Sequence, residues 1–215
     1  MPVRNKLMDE PFESHGIHGV LHRPDEPRGE AIALTHGAGS NHNAPLLVKM
    51  AQAFADAGYL SLRYDLPFRR QRAKGPPFPA AAARDREGVA AAIAALRTLA
   101  PGRVFAGGHS YGGRQTAMAA AERPDMADGL LLFSYPLHPP NRPEQKRTAF
   151  FPDLRTTVLF VHGTADPFAT PEELREAIAM VPARTDALFV EGAAHDLKRA
   201  PSLSAEILEH FHALL

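Results

Sequence analysis

Ser110, Asp166 and His195 are the residues whose types and chain order could do chemistry. A serine hydroxyl is a poor nucleophile until a base takes its proton and a third group orients that base. Ser110 stands in Gly108-His109-Ser110-Tyr111-Gly112, between the apolar run Val104-Phe105-Ala106 and a stretch suited to helix from Gln115 to Glu122. A G-x-S-x-G pattern in that setting makes a sharp strand-to-helix turn that lifts the serine Oγ above a sheet. The turn strains the nucleophile's backbone, and side chains two residues to either side would collide with strand or helix, so glycine is needed there. The helix start aims free N–H groups at the point where anionic charge develops.

An elbow of this kind requires an acid after a later strand and a histidine after the last one. Asp166 follows the apolar run 157–161 within His162-Gly163-Thr164-Ala165-Asp166-Pro167-Phe168, and His195 follows the run 187–190 within Glu191-Gly192-Ala193-Ala194-His195-Asp196. The chemistry would be acyl transfer. Ser110 attacks a carbonyl, His195 is general base and then acid, and Asp166 fixes the imidazole tautomer. The developing oxyanion needs two N–H donors. Tyr111, the residue after the nucleophile, offers one, and Ala38 in the loop His36-Gly37-Ala38-Gly39 offers the other. Other roles exist for these residues: Ser110 could cap the following helix, and Asp166 could cap the helix after it or form an Asx-turn. Three partners in the required order favour the catalytic role.

The elements that must position these residues alternate along the chain. Residues 1–15 read as polar and irregular, and Ile17 to His22 as an edge strand stopped by Arg23-Pro24. Continuous apolar runs at 31–35, 59–64, 103–107, 130–134, 157–161 and 187–190 suit strands covered on both faces. Helical spacing covers Leu46 to Ala57, Arg84 to Leu99, Pro171 to Met180 and Leu203 to Leu214, with a long loop over 69–83. The fold class is α/β: a mostly parallel, doubly wound sheet with helices on both faces, forming a single domain over 1–215. Ligands bind such sheets at the carboxyl ends of strands, where all the residues above fall.

Composition removes several function classes. Lys+Arg and Asp+Glu both number 24, so nothing in the charge balance suggests nucleic acid or an anionic membrane as partner. With no cysteine there is no disulfide, thiolate nucleophile or zinc–thiolate site. The N-terminus leads into no apolar stretch of signal or membrane-spanning type, so a cytoplasmic protein is expected, monomeric or homodimeric, with a small-molecule substrate. The 11 histidines show no helical His-x-x-x-His pair with a nearby acid, so no metal and no cofactor is expected. Gly108 and Gly113 have the spacing of a phosphate-binding loop, but Arg114-Gln115 stands where Lys-Ser/Thr is required. His36 and His162 read as loop-bracing donors and His109 as elbow packing.

Thr35-His36-Gly37-Ala38-Gly39, Gly107-Gly108-His109-Ser110-Tyr111-Gly112-Gly113-Arg114, Tyr135-Pro136-Leu137-His138-Pro139-Pro140, His-Gly-x-x-Asp-Pro from His162 and Gly-x-x-His from Gly192 resemble, in that order, the α/β-hydrolase superfamily. Within it the chain is similar to small lidless bacterial dienelactone-hydrolase-like proteins, which are grouped with the hydrolase-like domain of the NSL chromatin-complex regulatory subunit. The resemblance implies a carboxylesterase-like serine hydrolase, or alternatively a degenerate hydrolase fold used for binding or assembly. It does not imply dienelactone activity, since that enzyme's nucleophile is a cysteine. Lidded members carry a long insertion after the strand that follows the elbow; here 135–153 is too short for a cap domain, so an open site is expected. Substrate contacts are expected from Phe68, His138 and Phe168 at strand ends; Arg70, with Arg69 and Arg72, could meet an anionic group, against the favoured reading of a solvated basic loop.

Overall fold

A computed structural model describes residues 9–198 and 200–215; the part of the expected irregular lead that falls on residues 1–8 lies outside the described residues. The strands are β1 (Asp9–Ser14), β2 (Ile17–His22), β3 (Ala31–Thr35), β4 (Leu60–Tyr64), β5 (Val104–His109), β6 (Leu130–Phe133), β7 (Val158–Gly163) and β8 (Thr185–Val190). The helices are α1 (Pro45–Asp56), α2 (Pro67–Gln71), α3 (Ala82–Arg97), α4 (Tyr111–Glu122), α5 (Pro171–Ile178) and α6 (Ser204–Leu214). One sheet takes in all eight strands in the order β1-β2-β4-β3-β5-β6-β7-β8. From β4 to β8 every neighbouring pair is parallel, whereas β1 and β2 run antiparallel at one edge.

Two expectations are corrected. Residues 9–14 are a strand, not irregular chain, so Ile17–His22 lies inside the sheet between β1 and β4. The register runs from Asp9↔His22 to Ser14↔Ile17 through a turn at His15 and Gly16, both at positive φ as a two-residue hairpin requires. The β1 residues alternate between exposed and part-buried with no fully buried member, so their apolar period is weak. The loop expected over 69–83 is shorter, because α2 begins at Pro67. Gly88 of α3 makes room for it: a Cβ there would stand 2.5 Å from Pro67 Cδ.

Each central strand feeds two cores. Leu130 and Leu132 join the layer under α3, α4 and α5, while Leu131 and Phe133 face the layer under α1 and α6. In the second layer Phe105, Phe211, Phe54 and Tyr59 pack edge-to-face at 5.2–6.0 Å, each contact adding about 0.5–1.5 kcal/mol beyond area burial. Between β6 and β7 the described chain carries a single 3-10 turn, Phe151–Asp153, so no cap domain covers the strand ends. Among the described residues no helix is long and apolar enough to cross a membrane.

Candidate active site

The turn from β5 to α4 puts Ser110 at φ 51°, ψ −117°, a left-handed conformation that costs an ordinary residue of order 1–3 kcal/mol. Ladder and helix hold it there. Ser110 N–H donates to the Phe133 carbonyl at 2.8 Å, and the Ser110 carbonyl accepts from Arg114 N–H at 2.9 Å. The flanking glycines are sterically required. A Cβ on Gly108 would stand 2.8 Å from the Thr35 carbonyl oxygen, and one on Gly112 would stand 2.4 Å from that of His36. A Cβ on Gly37 would lie 2.9 Å from His109 Nδ1 and 3.5 Å from Ser110 Cβ, so the loop after β3 lies directly against Ser110.

His195 Nε2 is 2.8 Å from Ser110 Oγ. On its other side Nδ1 faces Asp166 Oδ2 at 2.8 Å and Oδ1 at 3.0 Å. A carboxylate only accepts, so Nδ1 carries the proton and Nε2 offers its lone pair to the serine hydroxyl. Burial of Asp166 would raise its pKa. The bond and charge of His195 and the Phe168 N–H on Oδ1 (2.9 Å) outweigh that and hold the carboxyl below its ordinary range. Asp196, next to His195, pairs with Lys198 at 2.9 Å instead.

Two neighbouring rings pack against His195. The Phe168 ring lies over the His195 imidazole with centroids 4.1 Å apart and planes 30° apart. His109 approaches from elsewhere, its ring 5.2 Å away, and its Nε2–H donates to the His195 carbonyl at 2.7 Å. Burial, the largest influence, pushes the His109 pKa down, which keeps this ring a neutral donor. His162 is fully buried beneath, and its Nε2–H donates to the Ala169 carbonyl at 3.1 Å.

The loop carrying Ala38 is braced from below. His36 donates from Nδ1 to the Gly37 carbonyl (2.9 Å) and accepts the Leu66 N–H at Nε2 (3.1 Å), a neutral tautomer consistent with burial lowering its pKa to about 4. Arg69 is buried and donates to the carbonyls of Ser40, Ala38, Arg72 and Gly75 at 2.7–3.0 Å. Asp85, fully buried on α3, accepts the Phe68 N–H at 3.0 Å and the Tyr111 hydroxyl at 2.7 Å. Burial raises the Asp85 pKa despite these bonds, and burial with the Asp85 contact pushes the Tyr111 phenol far up, so Tyr111 stays a neutral donor. Among the described residues, no protein acceptor takes the N–H of Tyr111 or of Ala38.

The expected substrate contacts divide. Phe68 packs edge-on against Tyr111 (5.7 Å) and tilted against His36 (5.6 Å), beside a cleft of about 520 Å³ that it lines with Arg72, Pro77 and Phe78. Phe168 meets His195 itself. Arg70 does not reach this region: it pairs with Glu13 at 2.9 Å and donates to the Gly16 carbonyl at 2.9 Å, tying α2 to the β1–β2 turn. His138 is likewise withdrawn, buried with Nδ1–H on the Pro139 carbonyl (2.8 Å) and Nε2 3.3 Å from Glu173. Arg69 is structural for the reason above. Asp85 was missed by sequence reasoning, although an acid on the buried face of a helix was its visible signal.

Residues 28–213 match the alpha/beta hydrolase domain family. Among solved structures the chain is similar to an alpha-beta serine hydrolase homologue from Coxiella burnetii (TM-score 0.75, 14% identity, 94% of this chain and 96% of that one). It is similar also to a dienelactone hydrolase from Anabaena variabilis (TM-score 0.70, 20% identity, 95% and 97%). A third similar structure is Est1E from Butyrivibrio proteoclasticus with ferulic acid bound (TM-score 0.77, 16% identity, 95% and 98%). At these identities the likeness is one of fold.

Proposed function

The chain belongs to the alpha/beta hydrolase family, and on that premise we propose that it is a serine hydrolase cleaving small ester-type substrates through Ser110, His195 and Asp166. The observation that carries this reading is the unbroken hydrogen-bond line from Asp166 through His195 to Ser110 Oγ, each link 2.8 Å. Ser110 Oγ attacks the substrate carbonyl as its proton passes to His195 Nε2, and Asp166 stabilises the imidazolium that forms. The N–H groups of Tyr111 and Ala38 hold the oxyanion, a type of contact worth roughly 3–4 kcal/mol of barrier for one donor. The intermediate collapses, His195 protonates the leaving alcohol, and water repeats the cycle on the acyl-enzyme.

The open strand ends support small or short-chain substrates over long lipids, which need an enclosing apolar tunnel. The cleft that Phe68 lines with Arg72, Pro77 and Phe78 suits an acyl or aromatic group, and the Phe68 ring itself packs against the Tyr111 ring. Turnover of p-nitrophenyl acetate by the wild-type chain and by Ser110→Ala tests the reading. A loss of at least about 10³-fold is expected; equal turnover would leave the fold as a binding or assembly module.

A further inference from the structure

A second cluster of chemistry-bearing side chains lies apart from Ser110. His18 on β2, His42 in the loop between β3 and α1, and Asp65 directly after β4 come from three separate segments, yet their donor atoms all lie within 4.8 Å of one another. His42 Nδ1 is 2.8 Å from Asp65 Oδ2, and His18 Nδ1 is 3.5 Å from the same oxygen. Two ligands held tetrahedrally at roughly 2.0–2.1 Å from one ion stand about 3.3–3.4 Å apart. The cluster therefore needs only small side-chain shifts to close around a cation. We propose that His18, His42 and Asp65 bind one divalent transition-metal ion of the zinc type, at a site separate from the catalytic triad.

The donor set argues for that class of ion. Two imidazoles and one carboxylate suit zinc and its neighbours, whereas calcium and magnesium prefer all-oxygen shells. The carboxylate is already oriented, because Asp65 Oδ1 accepts the His42 N–H at 2.8 Å and Oδ2 is left facing both rings. Backbone fixes the third segment, since Asp65 N–H donates to the His18 carbonyl at 2.9 Å. His42 and Asp65 are mostly buried, while the His18 side chain is 48% exposed, which gives the ion a way in and water a way to complete its shell. His36 is not a fourth ligand: its Nε2 lies 3.4 Å from Asp65 Oδ1 but is occupied by the Leu66 N–H. The nearby Arg63 guanidinium is directed to His22 Nε2, the His42 carbonyl and Asn43 Oδ1, with Asp9 3.6 Å away. On binding, the proton that His42 Nδ1 now directs at Asp65 transfers through water to Nε2, and both rings coordinate as neutral imidazoles. The ion would tie the β1–β2 edge to the loop that carries Ala38.

The test titrates the metal-stripped full chain with zinc against a chromophoric chelator, for wild type, His18→Ala and His195→Ala, with circular dichroism to check folding. One zinc per chain is expected for wild type and for His195→Ala, with His18→Ala weakening it at least about 100-fold. His18 is exposed enough that its loss leaves the fold intact. No saturable zinc binding by wild type, or an affinity unchanged in His18→Ala, overturns the proposal. Binding lost with His195→Ala alone assigns the ion to the triad and overturns it equally.

Discussion

Replacing Gly112 by alanine probes how far the nucleophile turn depends on close approach to the loop after β3. The added Cβ would stand 2.4 Å from the His36 carbonyl oxygen and 2.8 Å from Thr35 Cγ2, where ordinary contact begins at 3.4 Å. About 1 Å of separation must therefore open between α4 and the segment Thr35–His36. Overpacking of that kind costs roughly 1–3 kcal/mol, a fall in Tm of about 2–12 °C for a chain of this size. The catalytic consequence is larger. The displaced segment carries Gly37, which lies against Ser110 Cβ, and then Ala38, so Ser110 and the Ala38 N–H proposed for the oxyanion move apart. A 1 Å misplacement costs about 100-fold in rate, and the loss falls on kcat because the ground-state carbonyl uses the hole weakly. Steady-state kinetics on a nitrophenyl ester beside a thermal melt reads both effects. Gly39→Ala is the matched control, since nothing lies within 4 Å of a Cβ there. Wild-type kcat and Tm in Gly112→Ala would refute the claim that the two segments are interlocked.

Further outcomes follow from the same geometry. Asp166→Asn presents an amide N–H to His195 Nδ1 and forces the proton onto Nε2, so kcat should fall about 10³–10⁴-fold, checked by steady-state turnover. Arg69→Ala removes donors from four loop carbonyls and should destabilise by about 2–5 kcal/mol in urea unfolding, while Arg70→Glu should leave the KM ratio of acidic to neutral esters unchanged. Asp85→Ala should lower kcat more than it raises KM, because it releases Tyr111 and Phe68 together, and Asp85→Asn should restore much of the loss. The His36 imidazole is held at about 4 against an ordinary 6.5, so between those pH values the unfolded chain binds a proton that the native state refuses. Stability is therefore intact above pH 6.5 and lost as pH falls, by about 3 kcal/mol once below pH 4. His22, His109 and His162, all lowered chiefly by burial, act in the same direction. Urea midpoints across this range should show the loss, and His36→Gln should flatten it.

The parallel strands, and the convergence of Ser110, Asp166 and His195 that the proposed mechanism uses, were legible because both rest on local signals: apolar runs between glycine-rich ends, and polar residues in the first loop beyond a strand. β1 was not, since a part-exposed edge strand with Glu10 and Glu13 has little apolar period to read. Long-range side-chain pairing was hidden for the same reason. Nothing near Arg70 in the sequence signals that it meets Glu13 across the β1–β2 turn, or that Arg69 turns inward to four carbonyls while its neighbour turns out. The contacts of Phe168 and His109 with His195 bring together the loops after β7 and β8 and the last residue of β5, a geometry that spacing cannot express. The His18, His42 and Asp65 cluster escaped because its ligands come one from each of three segments, with no helical pair to signal them.

The central claim is that Ser110 is activated by His195. A fluorophosphonate probe tests it most directly, with the adduct located by mass spectrometry. One adduct per chain, on the peptide carrying Ser110 and abolished in His195→Ala, is the expected result. No adduct, or labelling that His195→Ala leaves untouched, would contradict the account.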